Sequence, residues 1–217
     1  MKKLVSAAIF MLATIFGVNS VQAQDVDMKD PYKMVTVVAK NAFEKLQANK
    51  DKISDVTFRK DLVRTDLLPY VDTRYAGFKV MGTNLKKASA QERDAFCDAF
   101  AEYIVASFAD ALAMYNNQEL VLPDYKQVSA DASQVNVKFL IREAGKKDLE
   151  LVFKLRKNSK SGEWRAYDLV SEGISMLTAK ENELSPLIRE RGIKAVTDLI
   201  NKHNQTGSTE VIKKFNG

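Results

Sequence analysis

Between residues 30 and 116, apolar residues recur at the spacing of three and four that is typical of one face of an α-helix. The first helix is predicted to begin with Asp30 as its cap and Pro31 at its first position. Its apolar face consists of Met34, Val35, Val38, Ala42 and Leu46. A second helix is predicted over about residues 54–68, and a shorter one from Pro69 to a stop at Gly82.

The longest helix is predicted from Ser89 to about Tyr115. Ser89 and Glu92 have the spacing of a capping box, which marks a helix start. The apolar stripe that follows consists of Phe96, Phe100, Tyr103, Ile104, Ser107, Phe108, Ala111, Leu112 and Tyr115. At 1.5 Å per residue this helix is about 40 Å long, which is enough to span a domain.

After Asn116 the apolar period changes to two, which is typical of strands with one buried face. The predicted strands are 119–122, 135–141, 149–155 and 164–170. They are joined by short polar or glycine turns, so we expect an antiparallel meander. Gly173 is predicted to end the sheet.

Two helices are predicted after the sheet, one over residues 175–191 with an interruption at Pro186, and one from Ile193 to about Lys202. The whole pattern predicts an α+β fold, in which a curved antiparallel sheet of about four strands is covered on one face by helices and the N-terminal part is helical. The apolar stripe of the longest helix is the expected cover.

The N-terminus has the organisation of a cleaved secretory signal peptide over residues 1–23. Two lysines precede an apolar run from Leu4 to Val18, and small residues follow. We therefore expect cleavage before Gln24, which leaves residues 24–217 as a single α+β domain in a bacterial periplasm. An uncleaved anchor helix is the alternative, and it is less favoured because no basic cluster follows the apolar run.

Composition excludes several classes of function. The chain has 33 basic and 28 acidic residues, and removal of the two leader lysines leaves a net charge of about +3. This charge is small and evenly interleaved, whereas a nucleic-acid-binding surface needs clustered basic residues. One cysteine and one histidine are too few for an internal disulfide or a Cys/His zinc site. Cys97 is expected to be buried, and His203 to be exposed and without a role.

Asp168 and Glu172 are the candidate pair for general acid and base chemistry, which needs two carboxyl groups in different environments. Their predicted positions, at a strand end and beside a turn, favour solvated or capping carboxylates instead. No nucleophile-elbow motif and no phosphate-binding glycine loop is present in the sequence. The residues thus give no positive support for an enzyme, and a hydrolase that uses this pair stays as an alternative.

Basic residues cluster near two predicted turns of the sheet. They are Lys146, Lys147, Lys154, Arg156, Lys157 and Lys160. Lysines at hairpin ends often only discourage edge-to-edge pairing of sheets. The functional alternative is that they steer an anionic partner, either a lipid phosphate or an acidic protein surface.

Several segments carry a family resemblance, which extends in the same order from Asp30 to Ile193. The segments are Leu68-Pro69-Tyr70-Val71, Arg74-Tyr75-Ala76-Gly77, Arg156-Lys157-Asn158-Ser159, Ala166-Tyr167-Asp168, Glu172-Gly173 and Ser175-Met176. In these segments the chain resembles the MlaC family, the periplasmic phospholipid-binding proteins of the Mla lipid-asymmetry pathway. The tail after Asn204 and the loop near 85–88 depart from the family pattern.

The resemblance implies a carrier that is not an enzyme and that holds a phospholipid as cargo, with no cofactor. The acyl chains are expected in a pocket between sheet and helices, with the headgroup in solvent. The implied partners are the outer-membrane MlaA with a porin and the inner-membrane MlaFEDB transporter, reached through MlaD. The alternatives are the hydrolase described above and a protein adaptor that holds no lipid.

The apolar periodicity predicts which side of each helix and strand faces inward, and the residues on those sides are the candidates for lipid binding. From the longest helix and the sheet they are Phe100, Tyr103, Ile104, Phe108, Val137, Phe139, Leu151 and Phe153. The shorter elements that would close the ends add Tyr75, Val80, Trp164, Tyr167, Ile174 and Leu177. The candidates for steering protein partners are Arg93, Lys146, Lys147, Arg156, Lys157 and Lys160.

Overall fold

The computed structural model describes residues 26–206, so the predicted leader at 1–23 lies outside the described residues. The helices are α1 (Pro31–Ala48), α2 (Val56–Leu62), α3 (Thr73–Met81), α4 (Ala90–Leu112), α5 (Met176–Arg191) and α6 (Ile193–Thr206). The strands are β1 (Glu119–Val121), β2 (Gln134–Arg142), β3 (Leu149–Lys157), β4 (Trp164–Ser171) and β5 (Ile174–Ser175). Among residues 26–206, no helix is both long and apolar enough to cross a membrane.

The α+β prediction is confirmed, and the sheet is antiparallel with the strand order β1-β2-β3-β4-β5. It has five strands instead of about four, and the prediction that Gly173 ends the sheet is wrong. Glu172 and Gly173 have φ values of 48° and 82°. Two successive residues with positive φ form the tight hairpin turn that returns the chain alongside β4. β5 is too short to be detected by its periodicity.

Side-chain caps fix the starts of the two best-predicted helices. Asp30 Oδ1 accepts hydrogen bonds from the backbone N–H groups of Tyr32 and Lys33 at the start of α1. At the start of α4, Ser89 and Glu92 form the predicted capping box. α4 ends at Leu112, so its 23 residues are about 34 Å long. It is therefore somewhat shorter than the apolar stripe predicts.

Two predictions about proline are wrong. Pro69 does not open α3 but lies in a 3₁₀ turn, after which Val71 bridges to β4 and the Asp72 N–H donates to the Ala166 carbonyl at 2.7 Å. Asp72 then caps α3 through its carboxylate. α5 continues through Pro186, which lies on an exposed part of the helix. A carbonyl that loses its N–H partner there can be hydrated by solvent.

α3 and α4 approach each other closely at Gly77 and Cys97. A Cβ atom on residue 77 would lie 3.0 Å from the Cys97 Sγ, so glycine permits this helix contact. Cys97 is buried, as predicted. Burial raises the pKa of the Cys97 thiol to about 11, so the group stays protonated and packs as a small apolar side chain.

The buried residues form separate clusters, one on the sheet's apolar face and another among the helices. Val137, Phe139, Leu155 and Trp164 of the sheet pack with α1, whereas α4 contributes to a second cluster with α3, α5 and α6. The expectation that α4 directly covers the sheet is therefore wrong. Its large residues Phe96 and Phe100 pack among helices, and the space between α4 and the sheet remains partly open.

Candidate functional site

An apolar cavity of about 280 Å³ lies between α4 and α5 on one side and β3 and β4 on the other. The α4 wall consists of Phe100, Tyr103, Ile104, Ser107, Phe108 and Ala111. The rest of the wall consists of Met176, Leu177, Ala179 and Lys180 of α5, together with Val71, Ala76, Phe153, Ala166, Tyr167, Asp168 and Leu169. The volume is near the lower end of the range for small-ligand sites, about 300–1,000 Å³.

Small residues keep this space open, and an exposed rim connects it to solvent. Ala76, Ala166 and Ser107 line the cavity at positions where a larger side chain would fill it. At the rim, Ala111 is exposed and Met176 is 41% exposed. A molecule longer than the cavity can therefore extend past the rim between the end of α4 and the start of α5.

A β-bulge in β4 lies where Tyr167 and Asp168 line the cavity. Lys154 pairs with Asp168, and the next residue, Leu155, pairs with Ala166, so Tyr167 is the extra residue. The Tyr167 ring meets the Tyr75 ring edge-on at 5.3 Å between centroids.

Asp168 is a buried carboxylate whose oxygens are both occupied. Its side chain is 2% exposed and forms an ion pair with Lys154 at 3.0 Å. Oδ2 also accepts from the Ser175 hydroxyl at 2.7 Å, and Oδ1 accepts from the Leu177 N–H at 3.0 Å. This carboxylate ties β4 to the start of α5, a structural role.

Glu172 is also engaged, but at the surface. It accepts from the Glu150 N–H at 2.9 Å and from Lys147 at 3.1 Å. These contacts, first the backbone hydrogen bond and then the lysine, lower the pKa of the Glu172 carboxyl. Asp168 and Glu172 thus lie in different local networks, and each of their carboxylate oxygens already has a partner.

Lys180 brings a second charge to the cavity wall. Its ammonium lies 2.7 Å from Glu183 and 4.9 Å from the centroid of the Tyr103 ring. Burial lowers the pKa of Lys180, but contacts with Glu183 and Tyr103 outweigh this effect and the net pKa is raised. No sequence pattern singles out this residue, because lysine–glutamate pairs three apart are common on solvent-facing helices.

His203 is buried rather than exposed, so the expectation for it is wrong. Its ring lies 5.3 Å from the Tyr103 ring, at the end of an aromatic series that runs through Phe100 to Phe96. α6 continues to Thr206 and carries His203 onto α4. The series supports Tyr103 from behind the cavity wall.

Comparison with known proteins identifies the family. The family model described as MlaC protein matches residues 36–202. The chain belongs to the MlaC family. It is 38% identical over 184 residues, which are 84% of each chain, to the intermembrane phospholipid transport system binding protein MlaC of Haemophilus influenzae. Its fold also resembles the phospholipid-binding protein from Ralstonia solanacearum, solved in complex with a phospholipid, with a TM-score of 0.71 and 19% identity over 81% of this chain and 97% of the other.

In this MlaC-family chain, half of the predicted lipid-binding residues lie on the cavity wall. They are Phe100, Tyr103, Ile104, Phe108, Phe153, Tyr167 and Leu177. The wall residues that sequence reasoning did not select are mostly small, such as Ala76 and Ala166, or lie at element ends, such as Val71 and Met176. The one sequence signal that could have indicated a cavity is the difference in side-chain size along the apolar stripe of α4, in which Ser107 and Ala111 are small.

The other predicted lipid-binding residues lie elsewhere. Val137, Phe139, Leu151 and Trp164 share the apolar sheet face but pack in the cluster with α1. Val80 is buried among helices. Tyr75 lies behind Tyr167, and Ile174 on β5 is 61% exposed. The alternation of apolar residues along the strands identified the sheet face that borders the cavity, but Val137, Phe139, Leu151 and Trp164 lie on the part of that face that packs with α1.

The predicted steering residues do not form one patch. Lys146 and Lys147 lie at the β2–β3 turn, whereas Lys160 lies at the β3–β4 turn, at the opposite end of a nine-residue strand roughly 30 Å long. Acidic partners neutralise several of them: Lys146 pairs with Glu143, Lys147 with Glu172 and Arg156 with Asp72. Lys157 lies over the Trp164 ring, and Arg93 is on α4.

The structural role of Asp168 predicts a clear stability effect. Asp168→Ala leaves Lys154 and the Leu177 N–H without their partner, which is expected to cost about 2–4 kcal/mol of unfolding free energy. Urea unfolding followed by the fluorescence of Trp164, the one tryptophan of the chain, measures this. The exposed Glu172→Gln is the matched control and should lower the midpoint much less, because the Glu172 contacts lie at the surface. Equal small effects from both variants would contradict the assigned role.

Proposed function

We propose that this protein carries a phospholipid through the periplasm, with the acyl chains in the cavity between α4–α5 and β3–β4. The observation that carries the proposal is an open, almost wholly apolar cavity in a chain of the MlaC family. The name of the H. influenzae relative and the bound phospholipid of the R. solanacearum protein point to the same ligand class.

The energetics of such a carrier are favourable. Two acyl chains contain about 30 methylene groups, and exposing them to water would cost roughly 24 kcal/mol at about 0.8 kcal/mol each. Moving the chains from a bilayer to an apolar cavity exchanges one hydrocarbon-like environment for another, so the net change is small. A small net change lets the protein load at one membrane and unload at another, with the direction set by its partners.

The proposed route connects the two membranes of a Gram-negative envelope. The predicted signal peptide at residues 1–23 would deliver the chain to the periplasm. From the family resemblance, we infer that the partners are MlaA with a porin at the outer membrane and MlaD of the MlaFEDB complex at the inner membrane. The exchange would maintain the lipid asymmetry of the outer membrane.

A transport role suits the site better than the two alternatives. A hydrolase needs a carboxyl group that can reach substrate, whereas the carboxylate oxygens of Asp168 and Glu172 are engaged in structural contacts. A protein adaptor without lipid would gain nothing from an open apolar cavity, because its exposed walls cost stability.

Lipid content tests the proposal directly. Protein purified from the periplasm without detergent is expected to retain phospholipid at nearly one molecule per chain, because an empty cavity leaves apolar walls facing water. Mass spectrometry of an organic extract measures the ratio. Phospholipid at the level of a non-binding control protein would contradict the carrier function.

A charge on the wall should remove the lipid. Ile104→Glu places a carboxylate against the acyl chains, and the cost of desolvating it should reduce occupancy at least tenfold. Ile104→Leu keeps the wall apolar and should retain normal occupancy. Circular dichroism checks that both variants are folded. Normal occupancy in folded Ile104→Glu would place the acyl chains elsewhere.

A shared docking region is expected for the two protein partners, because lipid leaves through one cavity rim. The soluble domain of MlaD should therefore compete with the MlaA–porin complex, and both affinities should fall with rising salt. Lys147→Gln and Lys160→Gln identify which end of the sheet contributes the steering charge. Simultaneous binding of both partners, or affinities that do not change with salt, would contradict this arrangement.

A further inference from the structure

Asp168 and Lys180 are the two charged residues on the cavity wall, and their surroundings differ. The Asp168 carboxylate is satisfied by Lys154, by the Ser175 hydroxyl and by the Leu177 N–H, and it is almost fully buried. It therefore offers little to a ligand. Lys180 has a different environment and is the group from which a polar ligand could gain an interaction.

The ammonium of Lys180 retains donor capacity. An ammonium has three N–H donors, and the contact with Glu183 Oε2 at 2.7 Å accounts for one of them. The Tyr103 ring lies 4.9 Å from the nitrogen, and a hydrogen bond to the Tyr103 side chain accounts for a second donor. The Lys180 side chain is 27% exposed, so solvent or a ligand can approach the one donor that is left.

The position of Lys180 matches the expected position of a lipid headgroup. Lys180 lies one turn after Met176 and directly after Ala179, both at the exposed rim of the cavity. If acyl chains fill the space beside Ile104 and Phe108, the polar end of the same molecule lies at this rim. The first charged group of a phospholipid beyond its acyl esters is the phosphodiester.

We propose that Lys180 binds the phosphodiester of the cargo lipid at the cavity rim. The inference rests on the proposed carrier function and adds a polar contact to it. The ammonium donates to a phosphate oxygen through the N–H group that neither Glu183 nor Tyr103 uses. The raised pKa of Lys180 keeps this group charged at neutral pH.

Glu183 has an opposing effect in this arrangement. It orients the ammonium in the empty protein, but its negative charge repels a phosphate that approaches the same nitrogen. A phosphate contact of this kind is common to all glycerophospholipids, so it does not distinguish between their headgroups. It does distinguish phospholipids from diacylglycerol, which has the same chains and no phosphate.

A competition between two lipids tests the proposal. The wild-type protein and the variant Lys180→Gln are equilibrated with vesicles that contain phosphatidylglycerol and diacylglycerol with identical acyl chains, then repurified and extracted. The ratio of the two lipids per protein is measured by mass spectrometry. We expect the phosphatidylglycerol preference to fall about threefold to tenfold in Lys180→Gln, since a partly exposed charged hydrogen bond is lost.

Two further variants make the result specific. Lys194→Gln removes an exposed lysine that pairs with Asp198 on α6 and should leave the ratio unchanged. Glu183→Gln removes the repelling charge and should raise the phosphatidylglycerol preference. Inorganic phosphate alone should not shift the Lys180 ammonium resonance in lipid-free protein at millimolar concentration, because the lipid positions its own phosphate.

The outcomes separate this inference from the carrier function. Loss of both lipids from the wild-type protein would contradict the carrier function itself. Retention of both lipids with an unchanged ratio in Lys180→Gln would overturn only the phosphate contact. A shift of the Lys180 resonance with inorganic phosphate alone would replace the lipid headgroup by a free-anion site.

Discussion

An apolar sheet face has to be removed from water, and in this protein two different groups of helices share that task. α1 packs directly on Val137, Phe139 and Trp164, so one part of the face is a conventional core. The part near Phe153, Ala166 and Leu169 faces α4 and α5 across a space instead. The cavity is thus the space next to the part of the sheet face on which no helix packs directly. Every feature of the site follows from this division.

The regions beside the cavity are held by polar contacts that need no bound ligand. Asp168 connects β4 to α5, and Asp72 connects α3 to Arg156 at 2.6 Å while it caps the helix. Both carboxylates fix elements that line the space, so the walls are positioned before any lipid arrives. Such preorganisation lowers the entropic cost of binding.

The sequence predicts the α+β class, the caps of α1 and α4 and the parity of the strands, because each depends on local spacing. It also indicates which sheet face is apolar. It does not indicate that α1 covers Val137 while α4 leaves Phe153 open, because that choice depends on how the helices pack in three dimensions. The sequence also does not indicate that Ala76, Ala166 and Lys180 line the cavity, because small or charged side chains give no apolar periodicity. The position of β5 depends on a two-residue turn, which a periodic pattern cannot detect.

The most direct test of the account is to locate the acyl chains in the folded protein. A photoreactive benzophenone amino acid at residue 108 lies on the cavity wall, whereas the same group at Phe43 of α1 lies beside Tyr115, outside the cavity. After irradiation of protein purified with its native lipids, mass spectrometry of peptides detects covalent lipid adducts. We predict adducts on acyl carbons at residue 108 and none above background at residue 43. Absence of adducts at residue 108, or equal yields at both positions, would contradict the placement of the lipid between α4 and the sheet.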